Sequence, residues 1–235
     1  MTLSALLGGG LFLLLSYLGA AIPFGVVVTT LYGGDADIRT TGSGNIGGTN
    51  VARVYGWRLA ALVITLDAAK GFVPVALARL WWPGAGIGWW AAVLAACFLG
   101  HCFPVYLEFR GGKGVATSAG GLLAMAPRVA VLAGALWLVL LAATGRSSVA
   151  ALGATAGAIG VALWLDPWVA PVVVGIGLAV MATHVPNIRR LVRGEEGSVV
   201  RPVRWGRASA LPPEPGVLLQ QGPTGGPPVA AFLDR

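Results

Sequence analysis

Residues 114–126, GVATSAGGLLAMA, form an apolar segment that is unusually short for a membrane span. As an α-helix, these 13 residues rise only about 20 Å, whereas the hydrocarbon core of a bilayer is about 30 Å thick. The segment is therefore either a short membrane span shielded by protein or the first half of a kinked helix that continues through Pro127. This choice decides whether the chain crosses a membrane seven times or six.

The composition of the whole chain is that of a membrane protein. Of its 235 residues, 56% are hydrophobic and only 11% are Asp, Glu, Lys or Arg, whereas soluble domains contain about 25% charged residues. No Lys or Arg precedes Arg39. Because the first apolar run lacks the basic start of a signal peptide, we predict that it is an uncleaved span. The predicted spans are 3–31, 56–80, 87–107, 114–126, 129–145, 148–165 and 168–186.

The basic residues favour seven spans over six. With seven spans and the N-terminus outside, 13 of the 16 basic residues fall on one face, all except Lys70, Arg79 and Arg128. The positive-inside rule makes that face cytoplasmic. With six spans, the basic C-terminal region would lie opposite the loop that contains Lys113. We therefore predict an all-α integral membrane protein with seven transmembrane helices, one of them short, and with polar loops on the cytoplasmic side.

The end of the chain differs in composition from the rest. Residues 208–235 are rich in Pro and Gly and show no hydrophobic period, which is typical of disordered segments. We predict a membrane domain over residues 1–207, followed by a disordered cytoplasmic tail over residues 208–235.

Four polar segments fall on the predicted cytoplasmic face. They are GSGNIGGTNVAR (42–53), FRGGKGVAT (109–117), GRSS (145–148) and HVPNIRRLVRGEE (184–196). Glycine loops offer backbone N–H groups to anions, and Arg and Lys add charge-assisted hydrogen bonds. Carboxylates are almost absent, with Glu195 and Glu196 as the exceptions. The segments therefore predict a site for a small, multiply charged anion, most simply a phosphate. No nucleic-acid partner is expected.

The first glycine segment also matches a dinucleotide fingerprint. Gly42, Gly44 and Gly47 have the G-x-G-x-x-G spacing, and Asp67 follows 20 residues later. That fingerprint requires a strand before the glycines and a βαβ unit. Here a predicted membrane span precedes them and Asp67 lies within another span, so we reject a dinucleotide site.

Two charged residues lie inside the second predicted span. Charges at the centre of a membrane helix cost about 2.5–3.5 kcal/mol each on insertion scales. Asp67 and Lys70 are three residues apart, so they share one face of the helix. Two interpretations stay open: a mutual ion pair that allows the helix to insert, or a brace behind the glycine loops.

Two histidines receive different interpretations. His184 lies three residues before Asn187 where the last span leaves the membrane, so a helix would project both side chains to one face. Arg190 continues that face, and we interpret this polar stripe as functional. His101, in GHCFP, is interpreted as a hydrogen-bonded histidine that shapes the turn before FRGGKG.

These motifs together resemble those of a known family. GSGNIGGTNVAR, LDAAKG, GHCFPVYLEFRGGKGVAT and HVPNIRRLVRGEE are similar to the motifs of the bacterial membrane glycerol-3-phosphate acyltransferases that use acyl phosphate, the PlsY family. The resemblance implies seven spans in the bacterial inner membrane, with the active site on the cytoplasmic side. It implies transfer of a fatty acyl group to the 1-hydroxyl of sn-glycerol 3-phosphate, giving lysophosphatidic acid and inorganic phosphate at the start of phospholipid synthesis. No cofactor or metal is expected.

The resemblance also implies roles for individual residues. Acyl phosphate would be bound by Ser43, Gly44, Asn45, Thr49 and the backbone N–H groups of Gly111 and Gly112. Glycerol 3-phosphate would be bound by Arg53, Lys113, Ser148, His184 and Asn187. The catalytic groups would be Ser43, Lys113, His184 and Asn187, supported from behind by Asp67, Lys70 and Glu196. GRSSVAAL matches the family's serine segment only loosely, so Ser147 stays open as an alternative to Ser148.

The chemistry of this reaction agrees with the residues. Acyl phosphate is a mixed anhydride with a good leaving group, so an enzyme need mainly align the hydroxyl with the carbonyl and neutralise developing charge. We therefore expect direct transfer without an acyl-enzyme. The proton acceptor is either a phosphate oxygen of the acyl phosphate or His184. The alternative function is a transporter for an anionic organophosphate, although transporters usually place their site near the membrane midplane between repeats.

Overall fold

The computed structural model of the chain describes residues 3–33 and 37–199. This part of the chain contains no strand, and its structure is built from ten α-helices with 3₁₀ turns at Pro83–Ala85 and Val105–Leu107. The predicted tail, residues 208–235, lies outside the described residues. The helices are α1 (Leu3–Ala21), α2 (Phe24–Leu31), α3 (Gly48–Tyr55), α4 (Trp57–Trp81), α5 (Gly86–Cys102), α6 (Val115–Met125), α7 (Pro127–Thr144), α8 (Ser147–Leu165), α9 (Ala170–Thr183) and α10 (Val185–Val192).

Every predicted span corresponds to apolar helix. Four stretches are long and apolar enough to cross a membrane, namely Trp57–Trp81, Pro83–Leu107, Pro127–Thr144 and Ser147–Leu165. Two further stretches pass only as bent pairs: α1 with α2 at 43°, and α9 with α10 at 59°. The seventh apolar helix is α6, which is too short to span alone.

The bent pairs correct two details of the sequence interpretation. The predicted span over 3–31 is two helices, because Pro23 stands between them and has no N–H to continue the helix. His184 and Asn187 do not lie within the last long helix, since α9 ends at Thr183; His184 caps α10, which carries Asn187. His184 is the junction residue, with φ −95° and ψ 0°.

The short helix α6 is held inside the protein rather than joined to α7. Ala126, at φ −140° and ψ 77°, interrupts the helix before α7 begins. The guanidinium of Arg79 donates to the carbonyl oxygen of Ala124 in the last turn of α6 and lies 5.0 Å from the centre of the Trp90 ring. Because the last carbonyls of a helix have no partner within it, Arg79 satisfies a carbonyl at the end of α6 that lacks an intrahelical partner.

Glycines allow α4 and α6 to approach closely. A Cβ on Gly71 would lie 1.9 Å from the carbonyl oxygen of Thr117, and a Cβ on Gly120 would lie 1.9 Å from that of Ala68. Small residues permit this kind of backbone contact between membrane helices. The close packing fixes the N-terminal end of α6, where the FRGGKG segment enters the helix.

Candidate active site

The first glycine loop, residues 38–47, is wound around the side chain of Asn50. The amide nitrogen of Asn50 donates to the carbonyl oxygens of Ile38 (3.0 Å) and Thr41 (2.9 Å). Its amide oxygen accepts from the backbone N–H of Ser43 at 2.8 Å. Gly42 adopts φ +64°, a conformation that glycine reaches without strain. The loop is therefore a fixed structure that presents Ser43.

Helix α3 begins directly after this loop. Asn45 accepts a hydrogen bond from the N–H of Gly47 at 2.8 Å, and Gly48 and Thr49 form the first turn. The first N–H groups of a helix have no partner within the helix, and that end of the helix attracts anions. Because Gly48 and Thr49 line a cavity, this end of α3 can hold a phosphate there.

The second glycine loop, residues 110–114, is used differently from our expectation. The N–H of Gly111 donates to the carbonyl oxygen of Cys102 (3.1 Å), and that of Gly112 donates to His101 (3.0 Å). Both N–H groups predicted to bind acyl phosphate thus have partners at the end of α5. The loop presents the side chain of Lys113 to the cavity instead of its glycine amides.

Lys113 is a partly buried cation that forms no ion pair with any described residue. Among the described residues, no hydrogen bond or ion pair is made by its amine. Burial lowers the pKa of Lys113 to about 8, Glu196 opposes this shift, and the nearby charges of Arg190 and Arg53 add to it. A desolvated, unpaired cation that faces a cavity is an attractive partner for an anionic ligand.

The ring of His184 has a defined orientation. Its Nδ1 lies 2.8 Å from the carbonyl oxygen of Val180. A carbonyl only accepts hydrogen bonds, so Nδ1 carries the hydrogen and Nε2 of the neutral ring is free to accept one. His184 also lines the cavity, where Nε2 can accept a hydroxyl proton.

Glu196 organises the end of the HVPNIRRLVRGEE segment. Its two carboxylate oxygens accept from Nδ2 of Asn187 and from Nε of Arg190, each at 2.7 Å. Burial raises the pKa of Glu196, but the hydrogen bonds from Asn187 and Arg190 outweigh it and the net pKa is lowered. Ser148 is buried and its hydroxyl contributes to the same lowering.

One cavity of about 340 Å³ joins these elements. Of the residues predicted from sequence, those that line it are Ser43, Asn45, Thr49, Arg53, Asp67, Lys113, His184, Asn187 and Glu196. Those that do not line it are Gly44, Lys70, Gly111, Gly112 and Ser148. Ser147 lines the cavity, whereas Ser148 lies behind it against Glu196.

The cavity also has an apolar end that the sequence analysis missed. It runs between α6, α7, α8 and α9, and residues such as Leu122, Trp137, Ala154, Ala158 and Val173 line it. Ala119 and Gly134 line it as well and are exposed. The frequent Ala and Gly of α8 were a signal for this space, because small side chains leave room between packed helices.

Asp67 and Lys70 form the ion pair that was one of the two interpretations. Nζ of Lys70 lies 2.9 Å from Oδ1 of Asp67 and donates to the carbonyl oxygen of Ile22 at 3.0 Å. Both side chains are buried. Asp67 reaches the cavity and Lys70 ties it to the break between α1 and α2.

Comparison with known proteins identifies the family. A family model described as glycerol-3-phosphate acyltransferase matches residues 10–194. The chain belongs to the glycerol-3-phosphate acyltransferase family. The resemblance seen in the sequence motifs is thereby confirmed.

Individual acyltransferases agree over most of the chain. A glycerol-3-phosphate acyltransferase from Erythrobacter litoralis is 45% identical over 187 residues, covering 79% of this chain and 92% of the relative. One from Methylorubrum populi is 47% identical over 189 residues, covering 80% and 91%.

A solved acyltransferase structure has the same fold. The crystal structure of PlsY, an integral membrane glycerol 3-phosphate acyltransferase in its glycerol 3-phosphate form, matches with a TM-score of 0.76 at 34% identity, over 81% of this chain and 95% of PlsY. A second structure is the lysophosphatidic acid form, with a TM-score of 0.74. The chain is accordingly an integral, multi-pass membrane acyltransferase.

Proposed function

We propose that this acyltransferase transfers a fatty acyl group from acyl phosphate to the 1-hydroxyl of sn-glycerol 3-phosphate. The products are lysophosphatidic acid and inorganic phosphate. The observation that carries the proposal is that one continuous cavity has a cationic end with Lys113 and Arg53 and another end that is apolar. A phosphate-bearing donor with a long acyl chain needs both ends at once.

The two phosphates would occupy different parts of the cationic end. The first glycine loop and the start of α3, with Ser43, Asn45 and Thr49, would hold the phosphate of the donor. Lys113, Arg53 and one serine of the α8 start would hold the phosphate of the acceptor. Since the amides of Gly111 and Gly112 have carbonyl partners, we assign those glycines to the shape of the loop and not to phosphate binding.

The reaction follows from this placement. The 1-hydroxyl oxygen attacks the acyl carbon, and the bond from that carbon to the phosphate oxygen breaks as phosphate leaves. The hydroxyl proton passes either to a phosphate oxygen of the donor or to Nε2 of His184. Holding both reactants in line can supply about 7–11 kcal/mol, and fixed donors toward the leaving phosphate add to this. Transfer is direct, without an acyl-serine intermediate.

We also propose seven spans in the bacterial inner membrane, with the N-terminus outside and the site on the cytoplasmic side. The distribution of basic residues supports this orientation. Cysteine labelling tests it in a variant with both native cysteines replaced. A Gly84→Cys variant should react with an impermeant maleimide on intact cells, and an Arg110→Cys variant should react only after lysis. The opposite pattern would exclude a cytoplasmic site.

Turnover by purified protein tests the function itself. With acyl phosphate and labelled glycerol 3-phosphate, we expect a labelled lysolipid. Lys113→Ala should abolish turnover, while Arg110→Ala should not, because Arg110 is an exposed cation of the same loop outside the cavity. Uptake of label into vesicles without lysolipid would favour the transporter instead. Equal rates with an acyl-CoA donor would exclude the proposed donor specificity, and a trapped acyl-serine would exclude direct transfer.

A further inference from the structure

A buried histidine lies between the Asp67–Lys70 pair and the second glycine loop. His101 is 4% exposed at the end of α5, and its Nδ1 faces Oδ1 of Asp67 at 3.7 Å. Asp67 and Lys70 already balance each other's charge, so their pairing does not explain a third polar group beside them. His101 also lines the cavity, and the proposed reaction gives it no role.

The backbone and the ring of His101 both contact Gly112. The carbonyl oxygen of His101 accepts from the N–H of Gly112 at 3.0 Å. A Cβ on Gly112 would lie 2.0 Å from Nε2 of His101, and the three atoms nearest to it would all belong to that ring. The ring therefore occupies the space that any other residue at position 112 would need.

Lys113 makes a hydrogen bond through its backbone, and residues on both sides of it pack against α5. Its carbonyl oxygen accepts from the hydroxyl of Thr183 on α9 at 3.1 Å, and its amine has no partner among the described residues. The backbone of Lys113 is thus held by Thr183 and lies between Gly112, against His101, and Gly114, against Phe98 and Cys102. The ring of His101 is the side chain packed against Gly112.

We propose that His101, oriented by the Asp67–Lys70 pair, is a positioning residue that holds the second glycine loop so that Lys113 meets the phosphate of the acceptor. This inference rests on the proposed role of Lys113 in binding that phosphate. His101 does not touch the reacting atoms. It acts through Gly112, so its loss weakens acceptor binding by displacing Lys113.

A double-mutant cycle isolates the contact between His101 and Gly112. His101→Ala should raise the KM for glycerol 3-phosphate by about 10- to 100-fold with a smaller change in kcat. Gly112→Ala should do the same alone but add little in the His101→Ala background, because the ring that its Cβ would meet is gone. Multiplicative effects on KM in the double variant would overturn the inference.

Chemical labelling of Lys113 gives a readout that a purely structural role would not move. Acetylation of Lys113, followed by mass spectrometry, should be slowed by glycerol 3-phosphate in the wild-type enzyme and only weakly in His101→Ala. Cys97→Ala is the matched control, since Cys97 is equally buried one turn earlier on α5. It should behave as the wild type does.

The outcomes separate this inference from the proposed function. If glycerol 3-phosphate fails to protect Lys113 in the wild type, the proposed role of Lys113 is wrong. If it protects Lys113 equally in the wild type and in His101→Ala, the positioning role of His101 is wrong. Should His101→Ala fail to fold, His101→Phe is the second variant, because it keeps a ring against Gly112 and removes the polar atom that faces Asp67. An unchanged KM and unchanged protection of Lys113 in His101→Phe would show that Asp67 does not orient residue 101.

Discussion

Asn187 and Glu196 are joined by a 2.7 Å hydrogen bond that connects α10 to the segment after it. Because the amide nitrogen of Asn187 donates to Glu196, the orientation of that amide is set. Its oxygen is buried and has no hydrogen-bond partner among the described residues. Because Asn187 lines the cavity, this oxygen is suited to accept a hydrogen bond from a hydroxyl of glycerol 3-phosphate.

Replacing Glu196 should therefore reduce both stability and acceptor binding. Glu196→Gln loses the charge-assisted bonds to Asn187 and Arg190, and we expect a loss of about 1–3 kcal/mol, seen as a lower melting temperature in detergent, with a higher KM for glycerol 3-phosphate. Glu195→Gln is the matched control, because Glu195 is exposed. Equal effects of the two substitutions would contradict the orientation argument.

The lowered pKa of Lys113 predicts a pH dependence. Lysine is charged below its pKa, so a value of about 8 means that the cation is lost as pH rises through about 8, where an ordinary lysine stays charged to about 10. We expect kcat/KM for glycerol 3-phosphate to fall between about pH 7 and about pH 9.5. In this range the substrate phosphate does not titrate.

Lys113→Arg provides the control for that profile, since arginine remains charged throughout. The variant should have a lower kcat/KM at pH 7. Above pH 7 its kcat/KM should not show the fall that titration of residue 113 causes in the wild type. Superimposable normalised profiles of wild type and Lys113→Arg would assign the titration to another group.

The two serines at the start of α8 should behave differently. Ser147 lines the cavity, whereas Ser148 is 2% exposed and lies against Glu196. We expect Ser147→Ala to raise the KM for glycerol 3-phosphate without changing the melting temperature. Ser148→Ala should raise the KM and also lower the melting temperature. Steady-state kinetics and thermal unfolding of both variants decide this, and a kinetic defect confined to Ser148→Ala would reverse the assignment.

The contact between α4 and α6 predicts a difference between two glycines. A Cβ on Gly120 would meet the backbone of Ala68 at 1.9 Å, whereas one on Gly160 of α8 would meet nothing within 4 Å. Gly120→Ala should cost about 1–3 kcal/mol or more, because backbone cannot yield as a side chain can. Gly160→Ala should be neutral or stabilising by up to about 1 kcal/mol. Thermal unfolding in detergent compares them, and equal melting temperatures would mean that α4 and α6 are less tightly packed.

Local patterns predicted most of the helical segments and the ion pair. Apolar runs identify membrane helices because the required length of about 20 apolar residues is a property of the run itself, and the i, i+3 spacing of Asp67 and Lys70 nearly dictates their contact. The cationic end of the cavity was also predictable, since residue type alone gives the charges of Lys113 and Arg53.

Tertiary contacts account for what local patterns did not reveal. The FRGGKG segment has the composition of an anion-binding loop, but the N–H groups of Gly111 and Gly112 donate to carbonyl oxygens at the end of α5. No local sequence pattern reveals which helix end a loop will contact. Likewise, the sequence does not distinguish the two adjacent serines of GRSS, because the direction of the first turn of α8 decides which of them lies near Glu196.

The apolar end of the cavity has a kinetic consequence for the proposed reaction. Because the proposed donor and the lysolipid both carry a long acyl chain, they partition into the bilayer and reach or leave the enzyme by diffusion within it, while glycerol 3-phosphate arrives from water. Turnover would then follow the mole fraction of donor among the lipids, and adding inert phospholipid at constant bulk donor concentration would slow the enzyme by surface dilution.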